Sequence, residues 1–154
     1  TSNPVIDLMP DQVGVTDKGG TMRLGVYPCE IMGDGVTSRA FGGSDSVVLE
    51  RHRHRFEFNN SFRDQLASVG LVATGISPDG QLVEIVEYNG HPFMAGTQFH
   101  PEFLSRPSEP HPMFKEFIRA TCEVTVRSVS NGKSESETSK QESSSDTGSE
   151  NVVG

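Results

Sequence analysis

The 154 residues are enough for one domain, and at 33% apolar and 22% charged they are lean in core formers. The 21 acidic side chains outweigh 13 Lys plus Arg, giving a formal charge of -8, and a surface so acidic repels phosphate backbones, which argues against nucleic-acid binding. No stretch approaches the roughly 20 apolar residues that span a bilayer, no start reads as a secretory signal, and Cys29 and Cys122 are too few for a disulfide framework or a four-thiolate zinc site, so a cytoplasmic protein with no membrane partner is expected.

The chain opens on Thr1-Ser2-Asn3-Pro4 rather than Met, and the run 5–10 reads as the end of something already under way, so a truncated front is expected. Gly19-Gly20 signals a turn. An extended segment then runs to Pro28, whose ring biases the preceding residue away from helix. Past it, Gly33, Gly35 and the pair Gly42-Gly43 read as loop. Val47-Val48-Leu49 starts a strand that continues into Glu50-Arg51-His52-Arg53-His54-Arg55-Phe56. Asn59-Asn60-Ser61 supplies caps for a helix in which Phe62, Leu66 and Val69 recur at helical spacing, with Gly70 as its stop.

Residues 71–76 are rich in strand formers, and Ser77-Pro78-Asp79-Gly80 suits a tight turn. The run 81–88 then returns as the second arm of an antiparallel hairpin, closed by a further turn at Asn89-Gly90. The apolar run 93–99 is expected to be a buried strand that delivers His100-Pro101-Glu102 at its C-terminal end. After a Pro-punctuated loop, a helix is expected from about Pro112, with Phe114, Phe117 and Ile118 as its buried stripe. From 128 to 154 there are nine serines, five acidic residues, two lysines, three valines and no aromatic. That composition cannot offset its ordering entropy, so the chain divides into a folded part, 1–127, and a disordered Ser/Glu-rich tail, 128–154.

His100 and Glu102 stand out by position. Residues i and i+2 of an extended segment project to one side, so the carboxylate can accept the imidazole N–H, fix the tautomer and leave the other nitrogen as a base. On spacing alone His-x-Glu is a weak signal, and a surface pair or a packed histidine is the commoner reading. In the basic run, an extended backbone places the three arginines on one face and the two histidines on the other. A solvated edge balanced by Glu50 and Glu57 is one reading. An arginine gripping a carboxylate with two parallel hydrogen bonds is the other. The five histidines do not match zinc-ligand spacing, so no metal site is expected.

Three stretches, 19–25 (Gly-Gly-Thr-Met-Arg-Leu-Gly), 50–60 (Glu-Arg-His-Arg-His-Arg-Phe-Glu-Phe-Asn-Asn) and 98–103 (Gln-Phe-His-Pro-Glu-Phe), resemble the C-terminal half of the CTP synthase family. His-Pro-Glu after a buried strand is shared with the wider class I glutamine amidotransferases. The doubled Arg-His repeat and Gly-Thr-Met-Arg-Leu-Gly single out the narrower family. The resemblance implies an α/β fold: the C-terminal half of a class I glutamine amidotransferase domain, a mixed sheet with flanking helices, followed by the disordered tail. It implies L-glutamine as substrate and ammonia passed to a synthase domain of the same chain, where ATP and Mg2+ serve the amination of UTP to CTP. No cofactor is expected in the present residues, and a homotetramer is expected for the full-length enzyme. His100 and Glu102 match the family's catalytic histidine and glutamate, and Arg55 matches the arginine that holds the glutamine carboxylate.

One departure stands beside these matches. The family's nucleophile is a cysteine in a glycine-flanked turn, and neither Cys29, after Pro28, nor Cys122, near a helix end, has that setting. Both read as structural thiols, so the fragment alone is expected to be inactive. Another class I amidotransferase, or a non-catalytic amidotransferase-like binding module, are the alternatives. The Arg-His repeat argues against the former.

Overall fold

The computed structural model describes residues 1–8 and 22–126; the expected Gly19-Gly20 turn and the 128–154 tail lie outside them. Seven strands and three helices are described. They run β1 (Ile6–Leu8), β2 (Arg23–Ile31), α1 (Val36–Phe41), β3 (Val47–His54), β4 (Phe56–Phe58), α2 (Arg63–Ser68), β5 (Leu71–Ile76), β6 (Val83–Tyr88), β7 (Ala95–Thr97) and α3 (112–126). Single 3-10 turns at Asn60–Phe62 and Pro101–Phe103 complete the set.

Five strands form one sheet in the order β3-β2-β5-β6-β7, and β1 pairs with β4 in a separate ribbon. Every ladder among the described residues is antiparallel. The bend at Arg55 is where the chain leaves the large sheet and enters the ribbon. Cys29, Ile31, Ile85 and Phe99 make the core cluster, with Phe41 and Val48 packed against it. No helix among the described residues is long and apolar enough to cross a membrane.

Several expectations hold in detail. The strand at Leu71–Ile76 pairs with β6 as a hairpin, and its turn closes through Gly80 N–H to the Ser77 carbonyl at 2.7 Å. The side chain of Asn59 accepts from the Ser61 N–H, and α2 stops before Gly70, whose φ is 95°. Val69, read at helical spacing with Phe62 and Leu66, lies past the last helical residue and is 64% exposed.

Other expectations are corrected. β2 does not end at Pro28 but runs on to Ile31. Pro28 lies in the stretch of β2 paired only with β3, before β5 joins at Glu30. The loop read after Gly33 contains α1. Its N-cap, Gly35, offers no side chain, and the cap comes instead from Glu87 on β6, which accepts the Thr37 N–H at 2.9 Å and the Thr37 hydroxyl at 2.8 Å. A Cβ at Gly35 would overlap that carboxylate, so a side chain there would have to displace the capping glutamate. The run 93–99 forms only the three-residue strand Ala95–Thr97, at the sheet's edge.

The largest correction concerns α3. Its buried face is Met113, Glu116 and Ala120, whereas Phe114, Phe117 and Ile118 are 41%, 49% and 59% exposed. The helix is oriented by polar anchors rather than by its aromatic residues. Glu116 pairs with Arg39 of α1 at 3.0 Å, and the buried His111 just before the helix donates to Glu50 at 2.8 Å. At 3.6 residues per turn these anchors rotate the Phe-bearing stripe roughly a third of a turn away from the sheet.

Candidate active site

The segment that leaves β7 carries the site. Gln98 N–H bonds the Glu84 carbonyl at 2.8 Å, and His100 N–H then crosses to the Arg51 carbonyl on β3 at 2.9 Å. The sheet therefore curls far enough for the chain beyond its last strand to touch its first. His100 is extended, at φ −106° and ψ 93°, and Pro101 opens the 3-10 turn that carries Glu102.

The two side chains meet: His100 Nδ1 lies 2.7 Å from Glu102 Oε1. A continuous extended segment is not what joins them: the contact is made by a 3-10 turn closing on an extended residue. Because a carboxylate only accepts, Nδ1 carries the proton and Nε2 keeps the lone pair of the neutral ring. The hydrogen bond from His100 holds the Glu102 carboxyl below its usual range. Phe103 stacks on the His100 ring, with centroids 4.8 Å apart and 21° between planes. The arrangement is that of a general base oriented by a carboxylate.

β3 supplies the second part. As alternation requires, Arg51 and Arg53 are exposed while Glu50 and His52 point inward. Glu50 and Glu57 are both buried. They turn into the protein, Glu50 to His111 at 2.8 Å and Glu57 towards Arg23 and His54, at 3.7 and 3.4 Å. Arg55 lies at the bend between β3 and β4, one residue past His54.

Behind this surface lies a buried charged cluster that the sequence reading missed. Arg23 reaches Glu84 at 2.5 Å and stacks over Tyr27, with the guanidinium 4.4 Å from the ring centroid. Glu84 is wholly buried, and burial raises its carboxyl pKa against the opposing pull of Arg23. Removing either partner would leave a desolvated charge, so this pair is costly to break even where its net contribution is small. Glutamates alternating with apolar residues in 81–88 look like the solvent face of a hairpin, and only the tertiary position of Arg23 turns Glu84 inward.

His52 is 1% exposed, and burial, then the nearby Arg23, push its pKa down to about 3. The folded protein therefore holds it neutral, whereas in the unfolded chain it protonates near pH 6.5. Below that pH the unfolded state binds the extra proton, so stability is full above 6.5 and falls as the pH drops towards 3. The slope is at most about 1.4 kcal/mol per pH unit for this histidine. Thermal unfolding followed from pH 7 to pH 5 should show this loss, and His52→Leu should flatten it. An unchanged slope in that variant would mean the loss comes from other groups.

Cys29 is fully buried in the core, where burial, then the charges of Glu84 and Glu50, push the thiol up to about 12. Cys122 is exposed on α3. Among the described residues, no group of three or more His, Cys, Asp or Glu is placed to hold a metal ion.

A histidine whose Nδ1 is held by a glutamate, three residues past the edge strand of an α/β fold, is an arrangement suited to a general base. The family described as glutamine amidotransferase class-I matches residues 7–120, and the chain belongs to that family. The chain is similar to the CTP synthases of Dehalococcoides mccartyi, at 61% identity over 121 residues, and Roseiflexus castenholzii, at 60% over 124. These matches cover 79% and 80% of this chain, and in each case the chain spans 22% of the relative's length. Among solved structures it is similar to the glutaminase domain of Trypanosoma brucei CTP synthase with bound acivicin, at 29% identity and a TM-score of 0.70. That match covers 79% of this chain and 47% of the other.

Proposed function

We propose that these residues are the C-terminal half of the glutaminase domain of a cytoplasmic, glutamine-hydrolysing CTP synthase. The observation that carries the reading is the 2.7 Å bond between His100 and Glu102, in a chain 61% identical to a CTP synthase. In this reading the nucleophile is a cysteine outside the described residues, whose thiolate attacks the side-chain amide carbon of L-glutamine. His100 Nε2 takes the thiol proton and returns it to the departing ammonia, then draws a proton from the water that hydrolyses the thioester. Glu102 holds the ring and stabilises its imidazolium. Arg55 grips the substrate's α-carboxylate.

The ammonia passes to the synthase part of the same polypeptide. ATP and Mg2+ belong there, where UTP is phosphorylated and aminated, and that part also carries the tetramer contacts. The polypeptide that carries these residues should make CTP from UTP, ATP and glutamine, while purified 1–154 should release no ammonia from glutamine. Failure of the first, or ammonia release by the fragment that Cys29→Ser abolishes, would overturn the reading.

A further inference from the structure

The two histidines of the Arg-His repeat take no part in that chemistry, yet they are hydrogen-bonded in series. His54 Nδ1 faces two acceptors, the Phe56 carbonyl at 3.0 Å and Glu57 Oε1 at 3.4 Å, so this nitrogen carries the proton whatever the charge on the ring. Neutral His54 then accepts at Nε2, and His52 Nδ1–H donates to it across 2.9 Å. His52 is flanked in turn by Tyr27, at 5.4 Å between centroids and 84° between planes, and by Phe99 at 6.0 Å. A ring locked in the core thus reaches, through a second ring, the carbonyl of the residue that follows Arg55.

The same stretch of β3 holds the histidine end of the site. Arg51 accepts the His100 N–H, and His52 packs against Phe99, the residue before His100. Glutamine is gripped at its carboxylate and attacked at its amide, so the two protein groups that meet those ends must keep a fixed separation.

We infer that His52 and His54 are positioning residues for glutamine recognition, fixing the bend at Arg55 and its separation from His100. The inference rests on the reading that Arg55 holds the glutamine carboxylate. Burial lowers the pKa of both rings, which keeps the relay in its neutral form at physiological pH.

The test is steady-state CTP synthesis by the full-length enzyme, fed by glutamine and then by ammonium salt. His54→Gln keeps a polar side chain of similar length but loses the donor at the Nδ1 position. It should raise the glutamine KM about tenfold, with kcat and ammonia-fed synthesis within about twofold of the parent. His54→Asn places an amide nitrogen near the Nδ1 position and should recover most of that loss. His52→Leu keeps the volume between Tyr27 and Phe99, removes the first donor of the relay, and should also raise KM.

Unchanged KM in both His54→Gln and His52→Leu overturns the inference. So does an equal loss of glutamine-fed and ammonia-fed synthesis with a lowered melting temperature, which would make the histidines core residues only. Arg55→Ala run in parallel separates the two levels. If it leaves the glutamine KM unchanged, the assignment of Arg55 is at fault, whereas a raised KM there with none in the histidine variants refutes the relay alone.

Discussion

In the full-length enzyme, His100→Ala should lower glutamine-dependent CTP formation about a thousandfold while leaving ammonia-dependent formation intact. The base that relays protons between thiol, leaving amine and water would be gone, whereas UTP phosphorylation and amination would proceed elsewhere in the polypeptide. Glu102→Gln should cost less, about tenfold to a hundredfold. The amide oxygen can still accept Nδ1–H, but it no longer stabilises the imidazolium. Moreover, the side chains of His100 and Glu102 are 38% and 57% exposed, so water already screens part of the charge that is lost. CTP formation measured with each nitrogen source decides the matter. A folded His100→Ala enzyme that has lost both reactions would remove His100 from the glutaminase site.

Arg55→Lys should raise the glutamine KM at least about tenfold although it keeps the charge. A planar guanidinium can offer a carboxylate two parallel hydrogen bonds. An ammonium is a point charge on a flexible stem. The bend that carries Arg55 is held by the strands on either side and by the His54 bond to the Phe56 carbonyl, so a lysine there cannot recover the second bond by shifting the chain. Ammonia-fed synthesis should be unaffected. Equal damage to both reactions would mark Arg55 as structural.

Much of the sheet was legible because its signals are local. Alternation in 47–54, the turn at 77–80 and the cap at Asn59 each depend on neighbours a few residues away, and each appears where expected. The His100–Glu102 pair was legible for the same reason. What the sequence concealed is settled across the chain. The cap of α1 comes from Glu87, 50 positions from Thr37, and six residues without a side-chain cap carry little helical signal of their own. The face that α3 buries is chosen by Arg39 and by the Glu50–His111 bond, so three aromatic or aliphatic residues at helical spacing pointed to the wrong side. Glu84 looked like a surface residue because Arg23, its counter-charge, lies two strands away in the sheet.

The backbone bond from His100 to Arg51 has a consequence for how the site comes into being. It joins the chain beyond one edge strand of the sheet to the strand at the opposite edge, so it forms only after every strand between them has taken its register. Such contacts offset their loop-closure entropy late, when most native pairings already exist. No isolated hairpin of this chain contains the site. A hydrogen-exchange experiment on the refolding protein would accordingly see the His100 amide protected with the last cooperative step, after the amides of the β5–β6 hairpin.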